Sequence, residues 1–259
     1  MYQTSFQNLK KIHSMETNLS DLTNSKKTGK LAGLLYLIIA PLGFFSIGYV
    51  PSVIVGKTAI QTMLNLQANQ TLFLTGVTLD ILICFIELLL TTLLFQIFRS
   101  VNKTQAMVAA VARFTMIFIM AINLLVYLTP ILMLKNAMMQ KMFTSEETAA
   151  IIQLLFDVHE YGILMWGFFF GLHLVLMGVL VIRSVKHPTW VGYLLLAGSF
   201  GYILEAFNKI CFGNQTVVGY VAMGLLAIVV VGELSFAIWL LIKGVKTEQT
   251  SNQQPLVMS

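Results

Sequence analysis

The chain has 259 residues, of which 57% are hydrophobic and only 10% are charged. In soluble domains about a quarter of the residues are charged. This composition and the mean hydropathy of +0.82 therefore exclude an ordinary soluble domain and predict a membrane protein. The formal net charge of +5 does not predict a nucleic-acid partner, because the Lys and Arg residues stand at the ends of apolar stretches and not on one folded face.

Six apolar stretches are each long enough to cross a bilayer, which takes about 20 residues in a helix. They cover about 31–50, 72–98, 106–130, 150–182, 190–211 and 216–242. The predicted fold class is an all-α integral membrane protein, a multi-pass six-helix transmembrane bundle over 29–245, which we expect in the cell (cytoplasmic) membrane. Residues 1–28 and 246–259 are polar and lack an apolar period, so they are predicted to be flexible cytoplasmic tails.

Basic residues indicate the orientation of the bundle. The basic groups before the first span and after the second, fourth and sixth spans would share one side, whereas the other side would receive only Lys57, Lys135, Lys141 and Lys209. Because loops rich in Lys and Arg stay in the cytoplasm, both termini are predicted to be cytoplasmic. The related basic ends are consistent with three helical hairpins as an internal repeat, and equally with coincidence, since any inner-side span tends to end this way.

Three local signals refine the spans. Pro41 removes a backbone donor from the centre of the first span and predicts a kink. Thr144 and Glu147 match a capping box, so the fourth helix is expected to begin before the membrane. Gly167 and Gly171 have the spacing of a close helix contact, made either with a neighbouring span or with a second copy of the chain.

Ionisable residues within the spans form a predicted polar layer. Glu87, His173 and Glu233 precede the basic ends of the even-numbered spans by ten or twelve positions. At 1.5 Å per residue they lie roughly 15–18 Å from those ends. Arg113 stands ten residues after Lys103 and reaches the same depth on the third span. Glu87 and Arg113 are the preferred ion pair, because they lie at matched depth on adjacent antiparallel spans.

A second set of ionisable residues is expected closer to the outer face, comprising Asp80, Asp157, His159, Glu160 and Glu205. His159 and His173 would share a helix face about 21 Å apart along the axis, which is too far to share one ion. Haem between two helices would ordinarily take a His from each, whereas both candidates lie on one helix. We therefore predict no metal site and no cofactor.

Several segments resemble one known family. They are Phe168–Gly178 (FFFGLHLVLMG), Arg183-Ser184, Pro188–Gly192 (PTWVG), Gly29–Tyr36 (GKLAGLLY) and Arg99–Lys103 (RSVNK). The combined pattern resembles the bacterial family catalogued as domain of unknown function 4386, over about 29–245. The resemblance implies a bacterial integral membrane protein of several helices. It implies no substrate, reaction or catalytic residue, so no role is carried over to His173 or Arg113.

Three functions remain open for the polar layer. In a small transporter or ligand-binding membrane protein, the layer would contact a small solute, a proton or a lipid, with His173 or an acid titrating while Arg113 holds an anion. In a non-catalytic sensor or assembly subunit, the same charges would only fix the register of the helices. An enzyme acting on lipid through His159 or His173 is the least favoured, because no nucleophile stands at a recognisable spacing from either His.

Overall fold

The computed structural model describes residues 26–185 and 187–244, and every regular element within them is a helix. In chain order the helices are α1 (Lys26–Ile54), α2 (Ala59–Ala68), α3 (Gln70–Phe98), α4 (Lys103–Lys135), α5 (Ala137–Met142), α6 (Ser145–Arg183), α7 (Thr189–Ile210) and α8 (Thr216–Lys243). All except α2 and α5 are long and apolar enough to cross a membrane. The prediction of an all-α bundle with six spans is therefore confirmed.

The helix ends follow from capping residues in the sequence. The Thr144 hydroxyl accepts a hydrogen bond from the backbone N–H of Glu147, and the Glu147 carboxylate accepts one from the backbone N–H of Thr144. Asn102 caps α4 with a single hydrogen bond, which its side-chain oxygen accepts from the backbone N–H of Gln105. These side chains satisfy N–H groups that the helix itself leaves without acceptors. The predicted tails lie outside the described residues, apart from 26–28, which belong to α1.

Proline affects the first and third spans differently. α1 passes into π-helical geometry at Phe44–Tyr49, three residues beyond Pro41, and returns to α-helix at Val50–Ile54. α4 instead continues through the buried Pro130 to Lys135, whereas the predicted span ended at 130. Neighbouring helices in a bundle can accommodate a proline within a span. Pro130 therefore does not end the helix.

Glycines bring α6 and α7 into close contact within the chain. A Cβ atom added to Gly171 would lie 3.0 Å from the carbonyl oxygen of Ser199, and one added to Gly178 would lie 2.8 Å from that of Gly192. No side chain fits there without a shift of the α7 backbone. The opposite face of α6 packs along α4. The glycine face thus serves packing inside the bundle.

The first and last spans touch at one end and separate towards the other. A Cβ on Gly33 of α1 would lie 2.5 Å from the carbonyl oxygen of Ala237 in α8. One turn further along α1, the rings of Tyr36 and Phe236 meet at 6.0 Å between centroids. Beyond this contact, a Cβ atom on Gly43 of α1 would meet nothing within 4 Å. The two helices therefore leave a gap beside the π-helical stretch.

Candidate functional site

A buried ion pair joins α3 to α4. The Nε of Arg113 donates a hydrogen bond to Oε2 of Glu87 over 2.6 Å, and Nη2 lies 2.6 Å from the same oxygen. The Arg113 side chain is 0% exposed and that of Glu87 is 8% exposed. Removing two charges from water costs several kcal/mol per ion, so the pair persists only because each charge has a close partner. The short turn between α3 and α4 places the two residues at the same depth.

Arg113 also contacts α1 and α6. Its Nη1 donates to the hydroxyl of Tyr36 over 2.9 Å and to Nε2 of His173 over 2.8 Å. Because an Arg nitrogen can only donate, Nε2 of His173 is unprotonated. Nδ1 of the same ring then donates to the backbone carbonyl of Ala109 over 2.8 Å. His173 is thus a neutral imidazole with both nitrogens bonded.

These contacts surround the guanidinium of Arg113 with protein. Its central carbon lies 5.0 Å from the centroid of the Tyr36 ring and 5.5 Å from that of Phe170, within the range of cation–π attraction. One charged group therefore holds four spans, α1, α3, α4 and α6, in a fixed relation. The expectation that Arg113 holds an anion is not favoured by this geometry, since its charge is already matched by Glu87.

A cavity of about 360 Å³ lies against this network and is lined by residues of all six spanning helices. Its walls are mostly apolar and aromatic, with contributions from Tyr36, Phe44, Trp166, Phe170 and Tyr202. Arg113 and Glu87 form part of one wall. Cavities of this size and lining are typical of small-molecule sites.

Two further carboxyl groups line the cavity, those of Glu233 on α8 and Asp80 on α3. Glu233 is only partly exposed and makes no hydrogen bond or ion pair with another described residue. Asp80 is 6% exposed. The hydroxyl of Ser46 in the π-helical stretch lies close to the Asp80 carboxyl and interacts with it, although the two groups do not have the geometry of a full hydrogen bond. Glu233 therefore shares the depth of the layer but not the bonds of its other three members.

The predicted outer set does not form one cluster. Asp80 belongs to the cavity, whereas the ring of His159 stacks on that of Tyr127 at 3.9 Å between centroids. Glu160 pairs with Nζ of Lys209 at 2.7 Å, and Glu205 lies 3.7 Å from the same atom. The remaining residue, Asp157, is exposed and accepts a hydrogen bond from Gln153. These residues share a depth range but point in different directions around their helices.

Within 26–185 and 187–244, no three His, Cys, Asp or Glu residues converge as metal ligands would.

The sequence analysis missed Tyr36 and the aromatic residues of the cavity. Tyr36 stands in an apolar run without a charge, so its hydroxyl gave no sign of a polar partner. It does lie ten residues after Lys26, the same separation as that between Lys103 and Arg113. Counting from the basic end on α1 would therefore have placed it at the depth of the polar layer.

Comparisons with known proteins identify a family model and an uncharacterised relative. No solved structure matches the chain. An "Uncharacterized protein" of Archaeoglobus fulgidus is 34% identical over 119 residues, which make up 44% of this chain and 68% of that protein. Since this relative is archaeal, a bacterial source is not confirmed. The family model described as "Domain of unknown function (DUF4386)" matches residues 31–244, and the chain therefore belongs to that family.

Proposed function

We propose that this protein binds a small solute in the cavity between its six spans and carries it across the membrane as a small transporter. The observation that carries the proposal is the pair of carboxyl groups, Glu233 and Asp80, facing a cavity of about 360 Å³. Ionisable groups inside a membrane are costly and usually mark a pathway or a binding site. A purely structural pair would not need a cavity beside it.

The polar layer divides into two parts under this proposal. Arg113, Glu87, Tyr36 and His173 form a closed network that links four spans and gives the site a fixed wall. Glu233 and Asp80 remain free of such bonds and are the groups available to a ligand. The π-helical stretch Phe44–Tyr49 lines the same cavity, and such departures from α-helix often occur at functional sites. Alternating access would then require motion of helices around the fixed wall.

Binding can be followed by fluorescence, because Trp166 lines the cavity and the other two tryptophans do not. In the background W190F/W239F, we would titrate the protein in lipid nanodiscs with three small aromatic probes that differ in charge: benzyltrimethylammonium, neopentylbenzene and benzenesulfonate. Uptake of the two charged probes would be measured in proteoliposomes. We expect a saturable Trp166 response to at least one probe, and protein-dependent uptake if that probe is charged.

A matched pair of glycine variants locates the site. Gly43 lines the cavity and a Cβ there meets open space, so G43F should fill the cavity and abolish binding. Gly224 also faces open space but does not line the cavity, so G224F should bind as the wild type does. If none of the three probes changes the Trp166 signal or enters proteoliposomes faster than protein-free liposomes, the proposal fails.

A non-catalytic assembly or sensor subunit is the second candidate, and the closed network around Arg113 favours it. In that case all the buried charges would serve only to hold the helices together. Affinity purification of the tagged protein should then recover a defined membrane partner in a fixed ratio. A tagged protein that is purified alone, with a probe bound in its cavity, would contradict this candidate.

A further inference from the structure

We infer that the ligand is a lipophilic organic cation, an amine or quaternary ammonium with an apolar body, and that Glu233 is its counter-ion. The inference rests on the proposed function and adds the charge and chemical class of the solute. Three features support it: the unmatched charge of the cavity, its aromatic walls, and its position beside the gap between α1 and α8.

The charges of the cavity wall do not balance. Asp80, Glu87 and Glu233 contribute three acids, and Arg113 contributes one base. Arg113 is already paired with Glu87 through two nitrogen contacts of 2.6 Å. Within 26–185 and 187–244, no cation pairs with Asp80, and the cation that acts electrostatically on Glu233 is Arg113, whose charge Glu87 already matches. An isolated carboxylate in apolar surroundings is strongly disfavoured, and a cationic ligand would remove that penalty.

The aromatic walls also favour a cation. Trp166, Phe170 and Tyr202 pack against one another, with ring centroids 5.2 Å apart in the Trp166–Phe170 and Phe170–Tyr202 pairs. The faces of such rings carry partial negative charge and attract ammonium groups, most strongly when water is excluded. Quaternary ammonium ligands are commonly bound by clusters of this kind. Among the described residues that line the cavity, an anion would find no unpaired cationic partner, because the guanidinium of Arg113 is already paired with Glu87.

The gap between α1 and α8 gives the cavity access from the bilayer. Phe44 on α1 is 78% exposed and Val230 on α8 is 50% exposed, although both line the cavity. They stand at the level where the two helices have separated, beyond the tight contact at Gly33. On a membrane-spanning surface this level faces lipid. A solute with an apolar body would partition into the bilayer and reach Glu233 laterally.

A proton alone would be the simplest alternative cargo for the same carboxyl groups. A proton pathway needs a chain of polar groups or water and has no use for a wide aromatic chamber. The walls of this cavity are predominantly apolar over about 360 Å³, which fits an organic body better than a proton wire.

The test compares two probes of nearly identical shape. Benzyltrimethylammonium carries a permanent positive charge, and neopentylbenzene has carbon in place of its nitrogen and no charge. Both would be titrated into the W190F/W239F protein in nanodiscs, with Trp166 fluorescence as the readout. We expect the cation to bind at least about tenfold more tightly than its neutral isostere. This comparison on one protein needs no substitution at the site.

Variants then assign the charge to Glu233. E233Q should weaken binding of the cation at least about tenfold, the loss of about 1.4 kcal/mol, and leave binding of neopentylbenzene unchanged. E233D keeps the carboxylate and should retain most of the affinity for the cation. E146Q removes an exposed acid near the start of α6, away from the cavity, and should have no effect on either probe.

The outcomes separate this inference from the proposed function. If neopentylbenzene or benzenesulfonate binds as tightly as the cation, or if E233Q leaves the affinity for the cation unchanged, the inference is overturned while a ligand-binding cavity remains. If none of the three probes binds the wild-type cavity, both the inference and the proposed function are overturned.

Discussion

At the scale of single residues, the contacts of Arg113 show which buried charges hold the helices together. Its guanidinium contacts Glu87, Tyr36 and His173, and Glu87 supplies the only negative charge among them. Removal of either member of the ion pair would leave the other as an uncompensated buried charge. Removal of both would leave an apolar contact between α3 and α4. The double substitution should therefore cost less free energy of unfolding than the sum of the two single substitutions.

We predict that E87L and R113M each lower the free energy of unfolding by about 3–5 kcal/mol, whereas the double variant E87L/R113M is more stable than either. The measurement is thermal unfolding of the purified proteins in one detergent. Replacement of a buried ion pair by apolar groups of similar volume is often neutral, which is the physical reason for the recovery. Additive losses in the double variant would contradict a closed ion pair.

At the scale of helices, the surroundings of each glycine show whether its helix face packs against another helix or is exposed. Gly178 of α6 lies against the backbone of Gly192 in α7, whereas Gly224 of α8 has nothing nearby. Both occupy membrane-spanning helices, so the intrinsic effect of a substitution on the helix is similar at the two sites.

We predict that G178L strongly lowers the apparent melting temperature, because its side chain would push α7 away from α6. G224L should melt at or above the wild-type temperature, since leucine favours a helix by up to about 1 kcal/mol relative to glycine. Both would be measured by thermal unfolding in the same detergent. Equal melting temperatures for the two variants would mean that α6 and α7 are not in the close contact described.

The helices themselves were predictable, but their rotation was not. Apolar length identified the six spans, and counting from the basic ends placed Glu87, Arg113, His173 and Glu233 at one depth. The same count could not show that Glu233 would line a cavity without bonding to Arg113, because depth does not fix where a side chain points around the bundle. The separation of His159, which stacks on Tyr127, from Glu160 and Glu205, which both lie near Lys209, has the same cause.

The cavity could not be predicted from the sequence either. It depends on the separation of α1 from α8, which follows from tight contact at Gly33 and open space at Gly43. Pro41 indicated a distortion in α1 but not its form, which is a π-helical stretch whose first residue, Phe44, lines the cavity. Such details arise from packing between spans that are distant in sequence, and single-span patterns do not encode them.

At the scale of the whole molecule, the orientation in the membrane is a prediction from the basic residues. Cys211 is exposed at the end of α7, and Ser100 is exposed in the turn between α3 and α4. We predict that a membrane-impermeant maleimide labels Cys211 in intact cells. In the variant S100C/C211S, labelling should require permeabilised cells.

The remaining cysteine, Cys84, lies within α3 and is partly buried, so the variant C211S alone measures its background labelling. If S100C were labelled from outside and Cys211 only after permeabilisation, the bundle would be inserted the other way round. The arrangement of the cavity within the bundle would be unaffected.

The central claim is that the polar layer has a structural part around Arg113 and a ligand-binding part at Glu233. It is tested most directly by comparing E87Q with E233Q in one set of measurements, the apparent melting temperature and the affinity for benzyltrimethylammonium. We predict that E87Q lowers the melting temperature strongly, because Arg113 loses its counter-ion. E233Q should leave the melting temperature unchanged or raised and weaken binding of the cation at least about tenfold. An E233Q protein that melts as low as E87Q and binds the cation with wild-type affinity would contradict the account.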